Sequence, residues 1–457
     1  MAIDRSRLPA LGSAPEFTLP EIRRASHPSS LRVWTVEHHD VPLVSFFVLL
    51  PIGSSADPLE RPGLAAITGD LLDEGSGSLN ALELHEALAR IGAQLDTEVG
   101  SDATMLELTT LERHAEQGLT LLADMVLRPR FDQRDFDRVR DLRLNRLIQL
   151  RDTPSALADR IFAELLFKGH PYGHLPIGTE GSLRAMTLRD VTGFHGRVYG
   201  PSAVTIVAVG DASHERLRGL VDRAFSEWAA RAPSPRPAAD PATLPPVAAA
   251  PARLAIVNRS AAAQSELRIG HVGPPRVTPD YHALLVLNMV LGGQFVSRIN
   301  LNLRENKGYT YGARTSFDFR RAPGPFTLQA SVQSEATADA VREAIGELRA
   351  IRDSRPVTRE ELEMGRAALT RGYPRNFETA DQIGRAAVQL ALYDLPDDYF
   401  STFASKIMAL TADDITRAAT THLDPSRLLT VIVGDREKIG PALHRLELGE
   451  ASEIAVA

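Results

Sequence analysis

The chain has 457 residues, 44% hydrophobic and 24% charged, with a formal net charge of -7 and no cysteine. Length suggests two to four domains, and the composition is that of a globular protein with ample core. The mild acidity argues against a nucleic-acid binder, which shows a basic footprint, and the missing cysteines exclude disulfides and thiolate metal sites.

The N-terminal stretch MAIDRSRLPALGSAPEF has no apolar core of a signal peptide. A cytoplasmic location is expected, or a periplasmic one if a leader has been removed. The most apolar run, residues 41–52, is shorter than the roughly 20 residues that cross a bilayer. Residues 31–37 and 43–50 read as paired strands around the polar turn HHDVP. Adjacent residues on an extended chain point opposite ways, so His38 and His39 make a poor metal pair and read as solvated.

A helix opens near Pro62, where proline fits the first turn, with Leu64, Ile67 and Leu71 on one face. A second helix runs from Asn80 or Ala81 to Ile91, and residues 94–99 and 104–109 form a hairpin. Helices follow at about 112–127, 133–150 and 155–166. His170 and His174 have a helical spacing, but Pro171 and Gly173 between them break any helix and predict a structured loop. Residues 188–198 read as a helix and 203–209 as a strand.

Residues 229–251 are rich in proline and alanine, an extended linker. Beyond it the pattern restarts. The stretch from Met186 to Asp211 aligns without a gap on the stretch from Leu410 to Asp435, sharing Thr187/Thr411, Asp190/Asp414, Pro201/Pro425 and a closing Val-Gly-Asp. A helix opening at Thr278-Pro279 matches the one at Pro62. Two copies of one α+β domain follow, each a mostly antiparallel sheet packed with helices. The expected boundaries are 1–230, a linker at 231–251, and 252–457.

The second copy holds LGGQFVSRINLNLRENKGYTYGARTSF, residues 291–317. Gly292 and Gly293 close a helix; residues 297–306 can be helical with Ile299 and Leu303 on one side; Gly308 suits a left-handed helix end. Tyr309, Tyr311, Ala313, Thr315 and Phe317 then share one face of a strand by simple alternation. The turn can bring Arg304 near Tyr311. A guanidinium fork beside a phenol suits peptide carbonyls or a carboxylate; the alternative is a surface arginine and a core tyrosine.

The phrases LPIGSSADP, RPGLA, GHPYG, LGG with SRI, and LRENKGYTYG together resemble the pitrilysin and insulinase family of zinc peptidases (family M16), over nearly the whole chain. The resemblance implies a half-clamshell of two homologous domains. In that family the helix after PGLA carries H-x-x-E-H, two zinc-binding histidines and a general-base glutamate. The matching residues here are Ala66, Gly69 and Asp70, and the downstream third-ligand position falls near Asn145 or Arg146. No metal is therefore expected in this chain.

Family members built of two chains divide the labour: one holds zinc, the other supplies an arginine and a tyrosine seven positions apart. Arg304 and Tyr311 have that spacing on the matching phrase. The resemblance implies a non-catalytic, substrate-binding subunit of a heterodimeric zinc peptidase acting on unfolded peptides, with zinc in the partner. The alternatives are a scaffold or peptide-binding protein without a peptidase partner, a homodimer when alone, and a self-sufficient enzyme using His170, His174 and Asp70. Gly292-Gly293 stands where a mitochondrial branch carries a glycine-rich substrate loop; a plain helix stop is the simpler reading.

Overall fold

The structure is a computed structural model that describes residues 18–230, 244–247, 253–446 and 448–455. The linker read at 231–251 lies outside the described residues except for 244–247.

The first sheet contains β1 (Arg23–Ser26), β2 (Arg32–Glu37), β3 (Leu43–Leu50), β4 (Gln94–Val99), β5 (Thr104–Leu111) and β6 (Thr205–Gly210), in the order β1-β2-β6-β3-β5-β4. The hairpin expected between β2 and β3 does not form. β6 lies between them, parallel to β2 and antiparallel to β3. The long return through the helices of this half delivers β6 to the sheet centre, which a reading of neighbouring strands alone misses. The β4–β5 hairpin forms as expected.

The second sheet contains β7 (Arg253–Asn258), β8 (Gln264–Val272), β9 (Thr310–Phe317), β10 (Pro325–Gln333), β11 (Leu429–Gly434) and β12 (Glu450–Glu453), in the order β9-β10-β8-β11-β7-β12. Apart from β1 and β12, the two sheets share one strand order, with one parallel pair at the corresponding place, β2·β6 and β7·β11. The repeated helix-turn-strand is also seen. Thr187 and Thr411 each form a capping box with the aspartate three residues on. The helices they open run Leu188–Val198 and Ala412–His422, and β6 and β11 follow. The fold is thus α+β, two copies of a mostly antiparallel sheet packed with helices.

Two helices change sides. α1 (Pro154–Leu166) belongs to the first copy but packs on β8 and β11 of the second sheet. α2 (Ala380–Tyr393), its counterpart, packs on β3 and β6 of the first. β3 is buried on both faces for this reason. Phe46, Val48 and Leu50 face the first copy's own helices. Phe47 and Leu49 join Trp34, Val207, Ile383 and Ala387 in a core drawn from both copies. At Gly384 on α2 a methyl group would overlap the Phe47 ring, so the helix sits on the sheet at glycine distance.

Some expected boundaries shift. The helix expected at Thr278-Pro279 begins at Tyr281, and Thr278 only receives a weak bond from the Asp280 amide at 3.4 Å. The helix after Pro62 is short, Leu64–Asp70, and is followed by a two-stranded ribbon of Gly75–Ser76 and Leu79–Asn80 that hydrophobic periodicity does not reveal. His39 is solvated and bonds Asp211 at 2.8 Å, whereas the His38 side chain is largely buried, its Nε2 making no hydrogen bond among the described residues and facing Asp40 at 3.7 Å.

Candidate functional site

Two places carry the sequence-level expectations. The first is the helix Leu64–Asp70. Ala66 is buried. Gly69 faces β4 so closely that a Cβ there would lie 2.7 Å from the Val99 Cγ2. A glutamate at this position must displace the Val99 side chain. Asp70 pairs with Arg143, which comes from the helix Gln133–Asp152. The same guanidinium donates to the Pro176 carbonyl at 2.7 Å, and its side chain is only 11% exposed. Asp70, Arg143, Arg146, Asp73, Glu74 and Asp96 line a cavity of about 540 Å³. Burial, helped by the charges of Glu74 and Asp70, pushes the Asp73 carboxyl up to about 6.

This donor set does not fit zinc. At the three motif positions alanine and glycine offer no ligand, and Asp70 is paired with Arg143, a cation that would repel a dication. Among the described residues no group of three or more His, Asp or Glu could hold a metal ion. His170 and His174 do not converge either. His170 is buried, accepts from the Tyr172 amide at 3.0 Å, and has its pKa lowered by burial. His174 bonds the Ser54 carbonyl and Asp57, both at 3.1 Å. The loop between them is a single 3-10 turn, as its proline and glycine predict.

The second place is β9 and the helical turn before it. Arg298–Asn300 is one α-helical turn that widens into a π-turn over Leu301–Asn306. Ile299 and Leu303 are fully buried, as their spacing predicts, and Gly308 ends the turn at φ +65°. Arg298 anchors the turn. Its guanidinium bonds Glu361 at 2.6 and 2.7 Å and the carbonyls of Arg355 and Pro356 at 2.6 and 3.0 Å. Asn300 then stitches turn to strand, donating to the Ala313 carbonyl at 2.7 Å and accepting from the Ala313 amide at 2.9 Å.

The expectation that Tyr311 shares a face with Ala313 and Thr315 is overturned. The ladder to β10 slips between Thr310 and Ala313, and this β-bulge shifts the alternation by one. Ala313 and Thr315 turn inward, while Tyr311 stands out at 92% exposure. A core tyrosine is thereby excluded. Arg304 lies nearby in sequence on the π-turn, with its side chain 30% exposed. It stacks over the Phe295 ring at 3.8 Å and reaches Glu305 at 3.4 Å. No hydrogen bond or stacking contact joins Arg304 to Tyr311 among the described residues. Phe295, Val296 and Leu301, in and just before the turn, are exposed apolar side chains. Gly292 is a helix stop packed on β9: its carbonyl accepts from the Thr315 amide at 3.2 Å, and a Cβ would lie 2.6 Å from that nitrogen.

Sequence reasoning missed Arg143, Asn300 and Phe295. Arg143 had a readable signal, an arginine two or three residues before the third-ligand position near Asn145 or Arg146. The other two depend on the bulge and the π-turn.

A duplicated α+β fold whose metal-binding helix lacks ligands defines a peptidase-like chain without its own zinc site. Comparison with known proteins agrees. Residues 32–178 match insulinase (peptidase family M16), and residues 185–369 match the peptidase M16 inactive domain. The chain belongs to the M16 family, as a member of the inactive type. It is 29% identical over 358 residues to an uncharacterized zinc protease of Mycobacterium tuberculosis, covering 78% of this chain and 80% of that one. It is 21% identical over 433 residues to the non-peptidase homolog YmxG of Helicobacter pylori, covering 93% and 96%. The crystal structure of a peptidase M16 inactive domain from Pseudomonas fluorescens superposes with a TM-score of 0.84 at 24% identity, over 91% of this chain and 98% of that one.

Proposed function

We propose that this chain is the non-catalytic, substrate-binding subunit of a heterodimeric zinc peptidase, lending Arg304 and Tyr311 to a partner that holds the metal. The observation that carries the reading is the bulge in β9. It presents a phenol with no hydrogen bond among the described residues, on an edge strand that follows the π-turn where Arg304 stacks on the exposed Phe295 ring. Tyr311 and Arg304 can each donate to a peptide carbonyl oxygen; a donor aimed at a developing oxyanion is worth roughly 2.7–4 kcal/mol.

The test is co-expression with a zinc-bearing family member, size analysis of the pair, and a peptide-cleavage assay. Replacing Arg304→Ala or Tyr311→Phe lowers kcat/KM by about 100-fold or more each, while the pair stays assembled. Unchanged activity in the double variant ends the proposal.

A second reading, a scaffold or peptide-binding protein with no peptidase partner, draws support from the Asp70–Arg143 pair and from the name of the Helicobacter pylori relative. A neighbouring reading frame with an intact H-x-x-E-H favours the first reading; a genome without one favours the second.

A further inference from the structure

We infer that the seam between the two sheets holds a carboxylate-binding site centred on Arg276. Three buried arginines set the comparison. Arg298 has its acid, Glu361, and two carbonyls. Arg268 has Asp159 at 2.5 Å and the Leu267 and Ser155 carbonyls at 2.9 and 3.0 Å. Arg276, in the loop between β8 and Tyr281, is as buried as these at 5% exposure, yet no carboxylate pairs with it among the described residues. Its Nη2 is shielded from water and makes no hydrogen bond.

Tyrosine rings surround the guanidinium instead. It lies 3.6 Å from the Tyr281 ring centre, 4.9 Å from Tyr399 and 5.5 Å from Tyr393. Three ring faces hold a cation and orient it, but they do not neutralise it. The backbone fixes the loop, through the Arg276 amide bonded to the Arg320 carbonyl at 2.7 Å.

Arg276 lines a cavity of about 610 Å³, a volume ordinary for small-ligand sites. The acids that share this lining are already committed. Asp102 accepts from the Tyr172 hydroxyl and the Arg321 amide, Asp318 pairs with Arg320 at 2.7 Å, and Glu98 faces Arg385 at 3.9 Å. The uncompensated charge is the positive one at Arg276. Apolar walls of Leu49, Met105, Val388 and Leu392 complete the space. The chemistry that fits is a carboxylate on an apolar body. Its source is either a peptide's C terminus or a free carboxylic acid. The site is separate from the surface at Tyr311, whose residues are absent from this lining.

The experiment is calorimetric titration of the full chain with three probes: N-acetyl-leucyl-phenylalanine with a free carboxylate, the same dipeptide as its amide, and phenylpropionate. The free acid binds at least about tenfold more tightly than the amide, because a charge-assisted bond to guanidinium is lost in the amide. Phenylpropionate binding as well assigns the site to carboxylic acids in general; its failure to bind assigns it to peptide termini. In Arg276→Met and Arg276→Lys chains, the first loses the acid-over-amide preference and the second keeps part of it. Equal affinity for acid and amide in the unaltered chain, or no binding of any acid at millimolar concentration, overturns the inference whether or not the variants fold.

Discussion

Restoring the zinc motif alone will not restore zinc. In the triple variant Ala66→His, Gly69→Glu, Asp70→His, the three residues of the motif are present, but Arg143 remains in place. It is 11% exposed, tied to the Pro176 carbonyl at 2.7 Å, and now without its acid. A dication about 5 Å from that guanidinium, at an effective dielectric constant of about 20, is disfavoured by about 7 kcal/mol, roughly five decades of affinity. A structural zinc site supplies about 10–16 kcal/mol, which leaves roughly 3–9 kcal/mol before the missing third ligand is counted. The glutamate at position 69 adds overpacking, because its Cβ would start 2.7 Å from Val99 Cγ2. Together with the orphaned Arg143, this lowers stability by about 2–5 kcal/mol, less than a fully buried pair would, since Asp70 is 43% exposed. The assay is metal analysis by mass spectrometry after gel filtration in micromolar zinc. The triple variant elutes without stoichiometric zinc; adding Arg143→Glu removes the repulsion, supplies a carboxylate, and raises zinc retention. One zinc per chain in the triple variant, or no gain from Arg143→Glu, refutes the reasoning.

Gly384→Ala forces a methyl group into the Phe47 ring and destabilises by about 1–3 kcal/mol in denaturant titration, and Phe47→Leu in the same chain recovers part of the loss. Asn300→Ala leaves the Ala313 amide and carbonyl without the partner that spans the bulge, costing about 2–4 kcal/mol and raising hydrogen exchange at Ala313. Burial and the neighbouring Asp381 push the Glu107 carboxyl up to about 8, with Arg385 opposing. Its folded pKa lies above its unfolded one, so this group's contribution to stability is present below about pH 4.5 and fades as pH rises to about 8. Glu107→Gln therefore flattens that decline, read as thermal midpoints at pH 6 and pH 8.5; equal slopes in both chains contradict the assignment.

Much of the fold was legible because it is written in local signals. Thr187 with Asp190 and Thr411 with Asp414 mark their helix starts within the chain, and the repeat of these phrases declared the duplication. The β4–β5 hairpin needs only a short turn. What was not legible lies in pairings distant in sequence. Nothing near Arg32–Glu37 says that Thr205–Gly210 will take the place beside it. Nothing in Ala380–Tyr393 says which sheet it covers, although Gly384 at the contact is its trace. At the site, composition alone condemned the metal helix, since no packing turns Ala66 into a ligand. The orientation of Tyr311 could not be read, because a one-residue slip in the ladder reverses every later side chain, and its cause lies in the register with β10.

The exchange of α1 and α2 bears on how this molecule can move. Bending at the waist would peel both helices from the sheets they cover, opening two interiors at once. The two copies are therefore held stiffly together. On the reading proposed above, a guest is admitted at the junction with a second molecule and not by a hinge within this chain.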